Sequence, residues 1–337
     1  MVDLSTEYLG LKLDNPLVPS ASPMSKDLQQ AKQLEDSGAS ALIMHSLFEE
    51  GIEAEAKQHD RFFQQQAIGH AEADSFHPVH INFDSYQEQY LEQLQLLKDQ
   101  LDIPVIASLN GITATGWVEY GKALQQAGAD ALELNVYYVA ADIELSSQAI
   151  EDKYLNLLTE LRKHVSIPIS MKLSSQFSSP LHFIRQLELA GARGVALFNR
   201  FYQPDIDLDT LLVTPKIKLS TSDETLLRIR WVALLYGKVK MSIAVTGGFH
   251  TIEDVIKALL AGADVTHLCS VLLEKGPQQL KKLLEELAHW LALHEYESVQ
   301  QLKGSLSQQH AINPAAYERE NYIELLDSYS PSKGVLR

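Results

Sequence analysis

The sequence predicts a (β/α)8 TIM barrel, in which eight parallel strands form one closed sheet and a helix follows each strand. Short apolar runs alternate with amphipathic segments along most of the 337 residues, and eight of the runs have the length of strands. Strict alternation favours a parallel sheet, and eight units favour a closed barrel. The alternative is an open, doubly wound sheet. It is disfavoured because no G-x-G-x-x-G motif follows the first run and no G-x-x-x-x-G-K-[ST] motif occurs in the chain.

The individual elements are predicted from hydrophobic periodicity. The expected strands contain Leu17, Leu42, Ile106, Leu132, Ile169, Ala196, Ile243 and Thr266. Helical periodicity covers residues 26–36, 86–101, 117–127, 153–164, 181–190, 224–236 and 251–260. Four of the helical segments end in a small residue followed by Gly-Ala, with the glycines at Gly38, Gly128, Gly191 and Gly262. Glycine readily takes the left-handed conformation that ends a helix, so each of these positions predicts a helix C-terminus directly before a strand.

Two connections are too long to be simple loops. Residues 47–82, after strand two, are polar and rich in Glu, Gln and His, and we expect them to form a lid, a hairpin or a partner contact. Residues 201–222, after strand six, can cover the mouth of the barrel. The predicted organisation is a single domain over residues 1–325 with these two insertions, followed by a flexible tail at residues 326–337.

The composition excludes several classes of partner. With 28 Lys and Arg against 44 Asp and Glu, the formal net charge is -16, and no basic run offsets it, so nucleic acid and anionic membranes are disfavoured. The single cysteine, Cys269, cannot build a disulfide framework, a thiolate zinc site or a cysteine-ligated cluster within the chain. No secretory signal or long apolar run is seen, so we expect a cytoplasmic protein that acts on a small molecule.

The stretch after strand seven predicts an anion site. Gly247 and Gly248 follow the strand, a helix begins just beyond them, and Cys269 and Ser270 end strand eight. Paired glycines let backbone N–H groups approach a ligand, and a helix N-terminus favours an anion. In barrels of this kind the loops after strands seven and eight are the usual phosphate site. Taken alone, the glycine pair is equally compatible with a plain turn.

Catalytic groups of this fold lie at the carboxyl ends of the strands, and here those ends are polar and rich in amides. They are Ser20, Ala21 and Ser22, then His45, Asn110, Asn135, Lys172, Asn199, Gly247 and Gly248, and Cys269 and Ser270. They contain no carboxylate pair for glycoside hydrolysis and no cluster at metal spacing, so we expect no metal site. Asparagine side chains donate and accept hydrogen bonds, which suits the edge of a planar heterocycle.

Lys172 is the one cation of this set, and its sequence context allows three interpretations. It can be a structural lysine paired with a carboxylate such as Glu133, a Schiff-base lysine, or a residue that stabilises the negative charge of a reduced flavin. The flavin interpretation explains the lysine and the phosphate stretch together.

Several motifs resemble those of the dihydroorotate dehydrogenase family of FMN enzymes, in the order in which that family has them. They are LGLKLDNPL at residues 9–17, VIASLNG at 105–111, ELN at 133–135, MKL at 171–173, FNR at 198–200, and VTGGFHTIEDVIKALLAGADVTHLCSVLLEKG at 245–276. The resemblance covers nearly the whole chain and is greatest for the soluble members of the family. It implies an FMN-dependent oxidoreductase that converts dihydroorotate to orotate, with hydride passing to flavin N5 and a base taking a proton from the substrate.

The resemblance also implies positions for the cofactor and partners. The FMN phosphate would lie against Gly247, Gly248, Cys269 and Ser270, and Lys172 would face the isoalloxazine ring. The resemblance places Ala21 and Ser22 under the ring and Asn135 and Asn199 towards cofactor and substrate. Asn110 is a further cofactor-binding candidate because it stands at a strand end. The resemblance further implies a role in pyrimidine biosynthesis and a homodimer. Because the chain lacks the cysteines of an iron–sulfur cluster and a Rossmann motif for NAD, we expect a soluble electron acceptor.

The chain departs from the family at two places. The family's base is a cysteine or serine in a pattern like N-x-S-C-P-N, whereas Asn135 here is followed by a loop with Tyr138 at the base position and Ala140 in place of an asparagine. Tyr138 can serve as a base only if its surroundings favour the phenolate, and it can equally be a packing residue. The fallback candidates for the base are Ser146, Ser147, Ser174 and Ser175.

The second departure is His45, which stands where relatives commonly have a lysine near flavin and substrate. It can be a donor that titrates near neutrality or a plain loop histidine. With these departures, two alternatives stay open: an FMN oxidoreductase with a different cyclic amide substrate, and a non-catalytic flavin-binding barrel whose insertion at 47–82 serves a partner.

Overall fold

The computed structural model describes residues 2–49, 51–52, 85–111, 114–201, 203–214 and 217–318. The strands are β1 (Thr6–Tyr8), β2 (Leu11–Leu13), β3 (Leu17–Pro19), β4 (Leu42–Phe48), β5 (Val105–Asn110), β6 (Ala131–Asn135), β7 (Ile169–Leu173), β8 (Gly194–Leu197), β9 (Asp205–Asp207), β10 (Leu212–Thr214), β11 (Ser242–Thr246) and β12 (Val265–Leu268). The α-helices of the described residues are α1 (Leu28–Asp36), α2 (Tyr86–Gln100), α3 (Ala114–Gln126), α4 (Ser147–Arg162), α5 (Pro180–Leu189), α6 (Thr225–Leu235), α7 (Ile252–Ala261), α8 (Ser270–Lys275), α9 (Gln279–Leu293) and α10 (Val299–Leu302).

Eight of the strands form the predicted barrel. They are hydrogen-bonded in the order β3-β12-β11-β8-β7-β6-β5-β4, and every neighbouring pair in that order is parallel. Ser40, just before β4, connects β4 to β3. Its backbone N–H and its hydroxyl both donate to the carbonyl of Leu17 in β3, at 3.2 and 3.0 Å. All eight strands predicted from the sequence are present, which confirms the (β/α)8 barrel.

The helix C-termini predicted at four glycines are also present. Gly38, Gly128, Gly191 and Gly262 follow helices and have φ of 99°, 97°, 103° and 121°. The start of α4 differs from the prediction, because the helix begins at Ser147 rather than near residue 153. Its first turn is capped by the Ser146 side chain, which accepts from the Ala149 N–H, and it is too exposed to carry apolar periodicity.

A hairpin of β1 and β2 covers the N-terminal end of the barrel. Tyr8 and Leu9 pack with barrel residues such as Ile106, Ala196 and Val265 in one buried cluster. The Tyr8 hydroxyl lies 3.0 Å from Ser170 Oγ, and the Leu9 N–H donates to Ser242 Oγ at 2.9 Å. The closed end leaves the carboxyl ends of the strands as the open mouth.

The two long connections differ in what the structure shows of them. The predicted insertion at 47–82 lies mostly outside the described residues, although β4 itself continues to Phe48. Within residues 201–222, β9 and β10 form an antiparallel hairpin. The expected domain limit at residue 325 and the flexible tail at 326–337 lie outside the described residues and stay predictions.

Candidate active site

A cavity opens at the carboxyl ends of the strands. Its empty volume is about 580 Å3, part of it continuous with solvent. It is lined by Ser20, Ala21, Lys172, Asn199, Arg200, Ser220, Thr246, Gly247, Gly248, Phe249, His267, Cys269 and Ser270. Seven of the residues predicted to bind the cofactor are therefore brought together, and they are Ala21, Lys172, Asn199, Gly247, Gly248, Cys269 and Ser270.

One end of this cavity is a cradle of small donors. The Gly248 N–H donates to Ser220 Oγ at 3.1 Å, and Ser220 Oγ donates to Ser270 Oγ at 2.8 Å. Gly247 and Gly248 have φ of 86° and 97°, in the left-handed region. A Cβ atom on Gly248 would lie 2.8 Å from the carbonyl oxygen of Thr221. The close approach of two backbone segments thus requires glycine at this position.

Charged and polar groups surround the cradle. Arg200 lines the cavity, with its Nε 3.3 Å from Glu224 Oε1. His250 Nε2 lies 3.5 Å from Ser220 Oγ, and its Nδ1 lies 3.6 Å from Glu274 Oε2. Helix α7 begins directly after the cradle, and a helix N-terminus carries partial positive charge. Converging N–H and hydroxyl donors in a positive field fit an anion such as a phosphate group.

Arg228 braces the strands behind the cradle. Its Nε donates to the carbonyl of Thr246 at 3.0 Å, and its Nη1 donates to the carbonyl of Glu224 at 2.6 Å. A Cβ atom on Gly247 would lie 2.9 Å from Arg228 Nη2. Gly247 therefore leaves the space that this buried guanidinium group occupies.

At the inner side of the cavity, Lys172 is paired with a carboxylate. Its Nζ donates to Glu133 Oε1 at 3.2 Å and lies 3.5 Å from Ser20 Oγ. The side chains of Lys172 and Glu133 are 7% and 1% exposed. A buried ammonium group needs an anionic partner, and Glu133 provides it. Lys172 thus has the carboxylate partner that its structural interpretation predicted, and it also lies in the cavity wall.

The amide residues are divided between the cavity wall and its surroundings. Asn199 lines the cavity and donates through Nδ2 to Asn135 Oδ1 at 2.7 Å. Asn110 pairs with Asn135 in the register of β5 and β6, and it is not in the cavity wall that the described residues form. Ser22, next to Ala21, precedes the 3-10 turn Pro23–Lys26. Asn135 is therefore outside the cavity wall of the described part of the chain and is hydrogen-bonded to Asn199, which lines it.

His45 differs from its prediction in position and in protonation. It lies inside β4, not in the loop after it, and its backbone N–H donates to Ser25 Oγ at 2.6 Å. Its ring packs on Tyr90, with 4.8 Å between centroids. Burial, with a smaller effect of Lys26, lowers the pKa of His45 to about 4. The expectation that it titrates near neutrality is wrong, because burial disfavours the charged imidazole.

Tyr138 lies in a second cavity, together with residues of α4 and of the loop after β7. The lining of this cavity includes Tyr154, Ser174 and Gln176, and within the described part of the chain it shares no residue with the first. Lys153 Nζ donates to the Tyr138 hydroxyl at 3.2 Å and lies 4.4 Å from the ring centroid. The predicted base is thus held by a lysine outside the cavity that contains Lys172.

Sequence reasoning missed several residues of the first cavity. Ser220, Arg200 and His250 surround the anion cradle, and no motif connects Ser220 with Ser270, which is 50 residues away. His267 follows Thr266 in the eighth predicted strand, and no motif marks it as a site residue. A polar residue in the middle of a buried strand is the signal that could have found it, since such side chains need a partner inside the fold.

Two further properties concern the described part of the chain as a whole. In the ranges described, no group of three or more His, Cys, Asp or Glu side chains is placed to hold a metal ion. No helix there is both long enough and apolar enough to cross a membrane.

Fold and site together define a class of protein, a (β/α)8 barrel with an anion cradle after its seventh and eighth strands and a buried lysine in the same cavity. A model of the dihydroorotate dehydrogenase family matches residues 3–291, and the chain belongs to that family. It is therefore an oxidoreductase of a family of flavin-dependent dehydrogenases.

Individual relatives are distant in sequence, but the similarity covers 80% or more of the length of each relative named here. The chain is 25% identical to the catalytic subunit of dihydroorotate dehydrogenase B (NAD(+)) of Shouchella clausii, over 90% of this chain and 98% of that protein. It is 25% identical to dihydroorotate dehydrogenase A (fumarate) of Lactobacillus helveticus, over 91% and 99%. It is 24% identical to the PreA subunit of the NAD-dependent dihydropyrimidine dehydrogenase of Escherichia coli K12, over 95% and 80%. Their names differ in substrate and in acceptor.

Proposed function

We propose that this protein is an FMN-dependent dehydrogenase that oxidises dihydroorotate, or a related dihydropyrimidine, to the unsaturated ring. The observation that carries the proposal is that one cavity contains an anion cradle at one end and Lys172 at the other. The residues suit FMN in particular, because its phosphate group can accept from the N–H and hydroxyl groups that Gly248, Ser220 and Ser270 bring together.

The chain's own residues would bind and orient the reactants. Gly247 and Gly248 would admit the phosphate, and Lys172 would place a positive charge beside the flavin ring. Asn199, fixed by Asn135, would present an amide to the heterocycle. When bound, the flavin supplies the acceptor for the hydride that leaves the substrate. His45 and Tyr138 receive less support as catalytic groups, because neither is in the wall of this cavity.

A dihydropyrimidine other than dihydroorotate is the second candidate substrate. Tyr138 stands at the position of the family's base and Ala140 at that of an asparagine, and both line the second cavity. One relative is itself a subunit of a dihydropyrimidine dehydrogenase. A soluble electron acceptor, a cytoplasmic location and a role in pyrimidine biosynthesis belong to the same proposal.

An anaerobic visible spectrum of the purified protein tests the function. The flavin is released and identified by mass spectrometry, and the protein is then mixed in turn with dihydroorotate, dihydrouracil and dihydrothymine. We expect FMN, and loss of its visible absorbance with one of the three compounds. Protein that binds no flavin after reconstitution with FMN would contradict the cofactor assignment. Bound FMN that none of the three compounds reduces would contradict the substrate class.

We further propose a homodimer. The hairpin of β9 and β10 and the residues after it expose six large apolar side chains within a short segment, and clustered exposed apolar side chains are a feature of interfaces. They are Ile206, Leu208, Leu211, Leu212, Val213 and Ile217.

A further inference from the structure

A group of polar side chains lies inside the barrel, beside the candidate flavin site. Glu133 of β6 stands between Lys172 of β7 and His267 of β12. Its Oε1 accepts from Lys172 Nζ at 3.2 Å, and its Oε2 lies 3.6 Å from His267 Nδ1. The side chains of Glu133 and His267 are 1% and 0% exposed, and His267 also lines the cavity.

Three atoms of this group have no hydrogen-bond partner among the described residues: Glu133 Oε2 and both ring nitrogens of His267. The separation of 3.6 Å is slightly longer than a hydrogen bond, so a small movement of either side chain would form one. Buried polar atoms are normally satisfied, and those that are not call for a specific explanation.

The side chains of this group and its neighbours differ in whether they carry a charge. Burial lowers the pKa of His267 to about 4, which leaves the imidazole neutral at neutral pH. Tyr8 packs edge-on against His267, with 5.5 Å between the rings, and burial raises the pKa of its hydroxyl. Burial also raises the pKa of the Cys269 thiol. Tyr8, His267 and Cys269 are thus uncharged, and among the described residues Glu133 is the acidic side chain in contact with Lys172.

We propose that Glu133 and His267 are positioning residues for Lys172. Glu133 holds the ammonium group in its charged form at the cavity wall, and the Nδ1–H of neutral His267 holds the second oxygen of Glu133. A lysine this deeply buried would lose its proton without an anion beside it. A neutral lysine cannot stabilise the negative charge that develops near N1 of a reduced flavin. The inference rests on the proposed function only in taking the cavity as a flavin site.

The charge of Lys172 can be measured without flavin. The full-length, flavin-free protein is acetylated with acetic anhydride at a series of pH values, and modification of Lys172 is followed by mass spectrometry relative to the exposed Lys163. We expect Glu133→Gln to raise the rate at Lys172 by about tenfold or more near pH 8, because one unit of pKa changes the neutral fraction about tenfold. Equal rates in the two proteins would overturn the proposal.

The matched control is Asp130→Asn. Asp130 directly precedes β6, the strand that carries Glu133, and its carboxylate pairs with Lys98 at 2.6 Å. The change removes the same charge from a lysine pair outside the cavity. Labelling of Lys172 is expected to stay at the wild-type rate in this variant.

A second measurement uses the flavin-loaded protein. The pH dependence of its midpoint potential gives the number of protons taken up with two electrons. We expect about one proton in the wild type and in Asp130→Asn, and about two in Glu133→Gln, where the neutral lysine no longer stabilises an anionic ring. The same pH dependence in all three would overturn the inference and leave the function standing. If no flavin binds, the function fails and the labelling experiment still decides the inference.

The role of His267 is tested by two substitutions. His267→Leu removes both ring nitrogens, whereas His267→Gln keeps a donor of similar reach. We expect the leucine variant to shift labelling and proton uptake in the direction of Glu133→Gln, and the glutamine variant to restore them. Wild-type behaviour of His267→Leu in both measurements would show that His267 only packs. If Glu133→Gln does not fold, the two His267 variants still test the proposal.

Discussion

Tyr138 stands at the family's base position but lies in the second cavity, with its hydroxyl bonded to Lys153. A general base must reach the proton that it removes, and Tyr138 does not line the cavity that we assign to the flavin. We therefore expect Tyr138→Phe to slow flavin reduction by the substrate less than about threefold, whereas loss of a general base costs about a hundredfold or more. Stopped-flow reduction of the bound flavin measures the rate.

The control for this substitution is Lys153→Met, which removes the partner of the Tyr138 hydroxyl and leaves the phenol in place. It should also leave the reduction rate unchanged. A loss of about a hundredfold in Tyr138→Phe would mean that the loop after β6 moves Tyr138 to the substrate, and would restore it as the base.

At the scale of single elements, the anion cradle depends on the turn between β11 and α7. Gly248→Ala would introduce a Cβ atom 2.8 Å from the Thr221 carbonyl and place alanine at a φ of 97°. The backbone N–H that belongs to the cradle must then move. We expect the affinity for FMN to fall by about tenfold or more, which corresponds to about 1.4 kcal/mol, measured by fluorescence titration of the flavin-free protein.

Gly276→Ala is the control for Gly248→Ala, because it separates backbone strain from contact of the new Cβ atom with its neighbours. Gly276 ends α8 with a φ of 80°, and a Cβ atom there would meet no atom within 4 Å. Both variants carry the cost of alanine in the left-handed region, so they should lose similar stability from that cause. FMN affinity that falls equally in both would mean that general destabilisation, not the cradle, explains the effect.

At the scale of the whole molecule, the apolar hairpin and the net charge of -16 have opposite effects on association. We expect Val213→Lys, at a position 71% exposed on β10, to lower the dimer fraction in sedimentation velocity. Because salt screens the repulsion between two acidic copies, the wild-type dimer should strengthen as ionic strength rises.

The control for this change is Leu293→Lys, which adds the same charge at a leucine 68% exposed on α9. It should leave the dimer fraction unchanged. A wild type that sediments as a monomer at all concentrations and salt levels would contradict the homodimer proposal.

Local sequence was sufficient for the strands and for most helix ends. Apolar runs such as residues 105–108, and the glycines that end helices, depend on side chains within a few residues of one another. For the same reason the turn at Gly247 and Gly248 could be identified as a candidate anion site. The position of this turn along the chain was sufficient to assign it to strands seven and eight of the barrel. The ion pair of Lys172 with Glu133 was also among the interpretations that the sequence allowed.

Only the tertiary structure decided the contacts between distant segments. Ser220 meets Ser270 across 50 residues, and His267 lies beside Glu133, because barrel closure brings together strand ends whose order no local pattern encodes. The charge of His45 was also beyond the sequence, since its pKa depends on burial that other elements create. Tyr138 occupies the family's base position in the sequence, but its side chain lines the second cavity and not the one that contains Lys172. Periodicity and turns are local properties of a chain, whereas site geometry and protonation arise from packing between elements.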